Sequence, residues 1–555
     1  MYGADSSEAN LVFYTDVLLL CVAAVFVILA LPRAVARFMS MSWTEGLVFY
    51  SSHISSTQRK PPIHVPSLST ISPQVAAILS TTIRPDYTIG KLVIFLLYFA
   101  VMLYSGLVDS NPFTNPGRAG LLAISQVPVV ILFATKNNVF GTLIGKGYEK
   151  FNYLHRFVGR CVILAINTHA LGFSKSCHCH PTSPSHADVH ISIIWGIVAL
   201  ACMDILFLFS VSTFRQMFYH VFYMSHVFAA ILMMVAACMH IPPAVPYALT
   251  GVGLYGLDRL VRIVQTSITT ACLRPIPELS TVLVELPTIN AGWRAGQHLR
   301  IKVLSSRMGW LGCAESHPFT IANVSENTNG EGLVLMCKKA GDWTSKLYEL
   351  AQSRENTETG EMVRKVKVLI DSPYGGLGHA NTSSFCAAMI VAGGSGITYG
   401  LATIEELLRK ATMGQSHIRT IQLVWSVSDA KSLIPLLPLF GNLLYVSQAT
   451  QASLHISVFY TRAVTSEDVL KSYRDLPSDI TLSPGRPRLN SILDSVVSKT
   501  LDSVGIATES RNGVVVGVCG PIALGDEVSN TVRAYPKERQ RAIGGIELHE
   551  EIFGR

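Results

Sequence analysis

Charge is scarce in this chain. Asp, Glu, Lys and Arg make up 15% of its 555 residues, where a soluble domain carries about 25%. That deficit argues against a wholly soluble protein and for one with membrane spans. The net charge is +7, yet no dense basic stripe gathers it, which removes nucleic acid as an expected partner. The eleven cysteines are scattered, and only Cys177 and Cys179 lie close together, so a disulfide scaffold is not expected. The first ten residues, MYGADSSEAN, hold no basic residue, while Arg33 and Arg37 follow the first apolar run. A cleaved signal peptide has the opposite order. No carboxylate pair stands out as a general acid–base dyad.

What is present instead is apolar sequence, 49% overall, concentrated before about residue 270. A span needs roughly 20 apolar residues, and seven stretches qualify: 11–32, 90–108, 119–135, 151–173, 191–211, 220–242 and 244–264, the third interrupted by Pro128. Arg33, Arg37, Arg59, Lys60 and Arg84 lie in the first connection, Lys136, Lys146 and Lys150 in the third. Arg215 lies between spans five and six, and Arg259 and Arg262 end span seven. All fall on one side if the N-terminus is outside, which puts the C-terminal half in the cytosol and residues 174–190 on the non-cytosolic side.

Ionisable residues inside a membrane are costly and mark function. Span four carries His155 and His169, span six His226 and His240, and each pair is separated by fourteen residues. Fourteen residues rise about 21 Å and return to within roughly 40° of one helix face. Facing helices would therefore pair the histidines at two heights, inner (His155, His226) and outer (His169, His240), each pair able to hold one haem iron. Stray histidines hydrogen-bonded inside a bundle are the plainer alternative, and the repeated spacing argues against it. His220 has no partner at this spacing and reads as a polar boundary residue. Two axial histidines saturate iron, which suits electron transfer rather than oxygen activation.

After about Leu279 the pattern alternates as strands do, in STVLVELP and GQHLRIKVL. ESHPFTIAN and LVLMCKKAGDWTSKL follow. In AAMIVAGGSGITYGLATIEELL an apolar strand runs into Gly393-Gly394-Ser395-Gly396 and a helix begins. Glycines let backbone approach a phosphate, and a helix N-terminus supplies N–H groups. Further strands in IRTIQLVWSV, LHISVFYT and GVVVGVCGP complete a doubly wound α/β pattern. Its ligand edge, the carboxyl ends of the strands, holds GGSG, Thr461-Arg462 and Cys519-Gly520-Pro521.

Residues 86–555 resemble a known family on GRAGLLAISQVP, NYLHRFVGR with both His-x13-His helices, GQH, HPFTIAN, SPYGG, AGGSGIT, GRP at 485–487, VCGP and ELHEEIFGR. The chain is similar to fungal ferric reductases of the flavocytochrome b type, relatives of the NADPH oxidases. The resemblance implies a di-haem helical membrane domain followed by a ferredoxin-reductase-like half, an FAD-binding β-barrel and then an NADPH-binding α/β domain. The implied boundaries are 1–89 for an N-terminal helix and cytosolic connection, 90–270 for the haem domain, 271–380 for the FAD domain and 381–555 for the nucleotide domain. By the same resemblance His317, Pro318, Phe319 and Thr320 contact the flavin and ribityl chain. Lys338, Gly341, Trp343 and Thr344 lie near the FAD pyrophosphate. Gly393, Gly394, Ser395, Gly396, Ile397 and Thr398 take the NADPH pyrophosphate. Cys519, Gly520 and Pro521 sit beside nicotinamide and flavin, with Cys519 and the flavin-covering Phe553 in catalytic positions. Arg462 and Arg486 are candidates for the 2′-phosphate, to which a guanidinium is well matched. Four positions depart from the family pattern: His220 where an acid is usual, Tyr399 where proline is common, Ser428 where arginine is common and Arg555 where tryptophan is frequent.

The expected activity is reduction of ferric, or cupric, ions outside by electrons from cytosolic NADPH, in support of iron uptake. An NADPH oxidase making superoxide is the alternative, and a seven-helix receptor would leave HPFT, GGSG and CGP unexplained. Expected acceptors are ferric chelates, siderophore-bound iron or Cu(II). The expected location is the plasma membrane, with the vacuolar membrane and an iron permease or oxidase partner left open. Sequons at Asn323 and Asn381 fall in the cytosolic part and are not expected to be glycosylated. The stretch from Ser174 to His190 follows His169 closely and holds Cys177, His178, Cys179, His180, His186 and His190. It reads either as an outer landing site for the acceptor metal or as a polar connector.

Overall fold

The computed structural model describes residues 6–40, 45–50, 61–84, 87–179, 187–326, 332–353, 364–462, 476–505 and 511–552. They form two compact units, Met1–Leu29 with Lys91–Val261, and Ala30–Gly90 with Arg262–Arg555.

The first unit is helical. Its elements are α1 (Ser6–Ser40), α2 (Ile89–Leu107), α3 (Gly117–Ser125), α4 (Val127–Ala134), α5 (Asn152–Cys179), α6 (Ala187–Phe209), α7 (Tyr219–His240) and α8 (Ala244–Gln265). α1, α2, the α3–α4 pair, α5, α6 and α7 are long and apolar enough to span a membrane. α8 has the length but ends in Asp258, Arg259 and Arg262. Another stretch of similar apolarity, Ala430–Gln448, belongs to the nucleotide domain, where Leu433, Leu436, Phe440 and Leu443 are core residues. The core of the helical unit is built partly from small side chains, Ala123, Cys202, Ala229 and Ala244 among them, which let helices approach closely. Leu20, Leu97, Ile197 and Phe228 are exposed, as residues facing lipid would be.

Pro128 breaks the third span as its chemistry requires. α3 stops, Gln126 intervenes, and α4 restarts with proline in its first turn, where a missing N–H costs nothing. Gln126 is fully buried. Its Nε2 donates to Asp16 Oδ1 (2.9 Å), and its Oε1 accepts from the Tyr98 hydroxyl (3.0 Å). The expected end of span four moves from 173 to Cys179, because α5 stays helical that far.

Among the described residues the second unit contains, besides a two-stranded antiparallel ribbon of Thr82–Arg84 and Tyr87–Thr88, two six-stranded sheets. The first joins β1 (Ser267–Ile276), β2 (Thr281–Leu286), β3 (Gln297–Val303), β4 (His317–Thr320), β5 (Leu333–Lys338) and β6 (Arg364–Gly375) in the order β4-β3-β6-β1-β2-β5. Every pairing is antiparallel. Alternation in β3 buries Gln297, Leu299, Ile301 and Val303, the period-two signature of a strand with one face inward. Helix α9 (Asp342–Gln352) follows β5 and buries Trp343 and Leu347 in the same core.

The second sheet joins β7 (Ala387–Gly393), β8 (Thr420–Val427), β9 (Ser453–Tyr460), β10 (Ile480–Pro484), β11 (Val514–Gly520) and β12 (Ile546–Ile552) in the order β10-β9-β8-β7-β11-β12. Every pairing is parallel, and helices α10 (Ile397–Thr412), α11 (Leu489–Gly505) and α12 (Ile522–Ala534) cover it. Strand order reverses between β7 and β11, the switch point where such sheets bind ligands.

Residues 30–90 are more than a connection. Gly46 N–H donates to Gly292 O (3.0 Å), and Tyr50 bridges Ala291. Arg33 pairs with the buried Glu547 at 2.8 Å, and the His64 ring meets Phe385 edge-on at 4.7 Å. This arm is tied to both sheets. Arg262 is likewise more than a topology signal, because its guanidinium binds the buried Asp371 at 2.7 Å.

Candidate functional site

The helical unit brings its four histidines together two by two. The rings of His155 and His226 have centroids 6.2 Å apart, and those of His169 and His240 are also 6.2 Å apart. With each ring nitrogen about 2 Å from a shared metal, imidazole centroids would stand roughly 6.4 Å apart. The observed separations fit one ion per pair. His155 Nδ1 lies 2.9 Å from Val130 O, His169 Nδ1 2.9 Å from Pro116 O and His240 Nδ1 2.8 Å from Ser192 O. A carbonyl only accepts, so these Nδ1 atoms carry the protons and Nε2 keeps its lone pair for a metal. His226 Nδ1 meets the Ser210 hydroxyl at 3.2 Å. No group of three or more His, Cys, Asp or Glu able to hold a metal occurs among the described residues. Two protein ligands per site match a metal whose other ligands come from a macrocycle.

Two glycines that sequence reasoning passed over keep the outer pair in place. A Cβ on Gly120 would fall 2.7 Å from His169 Nδ1, and one on Gly196 would fall 2.8 Å from His240 Nδ1. Gly120 stood inside GRAGLLAISQVP, so its motif was visible while its neighbour was not. His220 lies against Tyr219 at the start of α7. In the outer stretch, Cys177 and Cys179 end α5 with His178 between them. Their side chains, and His180 and His186, fall outside the described residues.

In the barrel, His317, Pro318, Phe319 and Thr320 form β4, paired with β3 from Ile301↔His317 to His298↔Thr320. The His317 ring lies 4.4 Å from Trp343 and Phe319 6.0 Å from it, at interplanar angles of 32° and 30°. Trp343 is held by its Nε1–H to Gly312 O at 3.0 Å. The rings of HPFT and GDWT thus pack into one aromatic set, inclined to one another by 30–32°. Lys338 ends β5 with its side chain exposed. Thr344 Oγ1 accepts from Ala340 and Gly341 N–H, both at 2.9 Å, which shapes the first turn of α9.

At the switch point the two glycine motifs pack against each other. Cys519 registers with Ala392. A Cβ on Gly396 would lie 2.1 Å from Cys519 O, and one on Gly393 would lie 3.0 Å from Pro521 Cδ. Gly394 has φ +54°, and its carbonyl accepts from Trp425 Nε1–H at 3.0 Å. Ser395 and Pro521 are exposed, whereas Gly520, Ile397 and Thr398 are buried. The Cys519 side chain is itself 0% exposed, within the core that includes Trp425 and Tyr399. Tyr399 fills the junction with the barrel, since a Cβ on Gly517 would lie 2.4 Å from its hydroxyl and one on Gly296 2.8 Å from its ring. Burial pushes its phenol well above the usual value, and the Glu551 charge adds to that.

Arg462 and Arg486 are both exposed, each two residues beyond the registered ends Tyr460↔Pro484 of β9 and β10. Arg462 N–H donates to Ser428 O at 2.9 Å, which places Ser428 at the same edge. Phe553 lies outside the described residues, one position past Ile552, which registers with Gly520. Beneath this edge Glu406 is held at about 2. Burial would raise it, but the charges of Lys410 and Arg294 and the Lys410 and Ala295 hydrogen bonds outweigh that.

Fold and site together define a unit of helices long and apolar enough to span a membrane, followed by an antiparallel sheet and a parallel α/β sheet. Successive parts of the chain match three family models: the ferric reductase like transmembrane component over 119–237, an FAD-binding domain over 269–377 and the ferric reductase NAD binding domain over 385–533. Over residues 119–237 and 385–533 the chain is thus similar to the ferric reductase family. It is 24% identical to ferric reductase transmembrane component 6 of Saccharomyces cerevisiae over 84% of this chain and 64% of that protein. It is also 24% identical to ferric/cupric reductase transmembrane component 2 of the same yeast over 78% and 61%. The chain thus spans less than two thirds of these relatives' length. Among solved structures it is similar to the flavohemoglobin of Malassezia yamatoensis, at 14% identity and a TM-score of 0.37, over 80% of this chain and 99% of that one.

Proposed function

We propose that this protein is a transmembrane metalloreductase, using cytosolic NADPH to reduce ferric ions on the non-cytosolic side. The observation that carries it is the matched geometry of the two histidine pairs, 6.2 Å each, in a chain that also holds flavin and nicotinamide domains. When bound, FAD would supply two-electron acceptance with one-electron release, and two b-type haems would supply one-electron carriage.

The chain's own residues do the rest. His155 with His226, and His169 with His240, would hold the two haem irons, one pair to each. The His317, Phe319 and Trp343 rings would brace the flavin. Gly393–Thr398 would admit the NADPH pyrophosphate to the start of α10, and Arg462 and Arg486 would bind its 2′-phosphate. Gly520 and Pro521 would border the nicotinamide. No residue need move a proton to the metal substrate. Cu(II) is a second acceptor of the same kind, as the name of one relative suggests for that relative. The distribution of Lys and Arg favours an N-terminus on the non-cytosolic side, and a plasma-membrane location fits reduction of external ferric ions.

Purified protein should show low-spin haem b and flavin in a ratio of about two to one. Cells carrying it should reduce a ferric chelate equally with and without oxygen. Reduction that stops without oxygen would identify superoxide as the product, and a spectrum without haem would end the proposal.

A further inference from the structure

The two histidine pairs have equal separations and differ behind the rings. His155, His169 and His240 each donate Nδ1–H to a backbone carbonyl at 2.8–2.9 Å. Such an acceptor fixes the tautomer and leaves nothing to chance. Among the described residues His226 has a different partner, the Ser210 hydroxyl at 3.2 Å. Ser210 lies just past the end of α6, its N–H donating to Phe207 O at 3.1 Å. A hydroxyl can accept or donate, and this contact is longer than the other three. The inner pair therefore has one firmly backed ligand and one backed by a replaceable side chain.

We propose that Ser210 is a positioning residue for His226: its oxygen accepts the Nδ1–H proton, which holds Nε2 toward the inner iron and makes the imidazole a stronger donor. This rests on the assignment of the pairs as haem ligands. The reaction affected is the gain of one electron by ferric iron to give ferrous iron, with no bond made or broken at either histidine. A stronger donor stabilises the ferric state and lowers the potential. Groups that back metal-ligating histidines are worth tenfold or more, and tenfold in a one-electron couple is about 59 mV.

The test is a redox titration of the purified full-length protein, followed by haem absorbance and by electron paramagnetic resonance of the low-spin ferric signals. Ser210→Ala should raise one haem potential by about 59 mV and move one of the two ferric signals, leaving the other haem as it was. Ser210→Thr should restore both. Should Ser210→Ala not accumulate, Ser210→Cys, of similar size and a poorer acceptor, should shift the same haem in the same direction. Two unmoved potentials, or two potentials that move together, overturn the role of Ser210. His226→Ala separates the layers. Retention of both haems would overturn the ligand assignment itself, whereas loss of one haem beside a silent Ser210→Ala would overturn only the inference about Ser210.

Discussion

The helical unit and the reductase unit would hold their candidate cofactors by opposite means. In the helices the chemistry lies in four side chains, and the glycines nearby, Gly120 and Gly196, only make room for imidazole rings. At the switch point of the parallel sheet the backbone would do the holding, and two loops lie so close that a Cβ on Gly396 would meet Cys519 O at 2.1 Å. The surroundings differ as well. The helical unit buries Ala123, Ala229 and Ala236 while exposing Leu20, Leu97 and Leu164, and the reductase unit buries Trp293, Trp425, Phe385 and Phe440 almost completely. A low-dielectric exterior already solvates apolar side chains, so the helical unit gains little by hiding them. The reductase unit depends on that burial.

This contrast can be broken from either side. The largest effect is expected from His169→Ala. It should remove the outer haem, halve the haem-to-flavin ratio in the absorbance spectrum and abolish ferric reduction, while NADPH still bleaches the flavin. Gly396→Ala should do the reverse. It should leave both haems and slow flavin reduction in stopped-flow traces, with overpacking that destabilises the reductase unit by about 1–3 kcal/mol in denaturant melts.

Acid should divide the units too. Glu547 sits at about 2, because the His549 hydrogen bond and the charges of His549 and Arg33 overcome the rise that burial would cause. Glu406 sits at about 2 as well. Folded values below the ordinary carboxyl value mean stability present above about pH 4.3 and lost as pH falls through about 2. Flavin should be released across that window, and Glu406→Gln should flatten the profile. Arg462→Ala with Arg486→Ala should raise the KM for NADPH about tenfold with little change for NADH; equal changes for both would remove the 2′-phosphate role. The smallest effect is expected from replacing His178, His180, His186 and His190 with Ala. A rise of less than about tenfold in apparent KM for a ferric chelate would support metal recruitment, and an unchanged constant would leave a polar connector.

Much of this was legible without coordinates. The fourteen-residue spacings located both histidine pairs, since helical periodicity is local and a buried histidine is conspicuous in an apolar run. GGSG and CGP located the carboxyl edge of the parallel sheet, because in each an apolar strand runs into a glycine turn before a helix. Other features were invisible because they depend on partners distant in sequence. Arg33 meets Glu547, Arg262 meets Asp371, and Tyr399 seals Gly517 and Gly296. The arm at 30–90 read as a connection because it has no periodic pattern; its strand-like contacts with 291–292 appear only when both segments are folded. α5 overran its expected end because Ser174–Cys179 continue the helix beyond the last apolar residue.

The sequence alone determined which residues could be ligands, which stretches are apolar enough to be helices of spanning length, and which turns could admit a phosphate, because each follows from side-chain chemistry and the period of one element. The tertiary structure decided what stands behind those residues. Three histidines are backed by carbonyls and His226 by Ser210, Cys519 is buried rather than open, and Trp343 lies against both His317 and Phe319. Hydrogen bonds and close packing between distant segments depend on three-dimensional separation, and linear spacing carries no record of it.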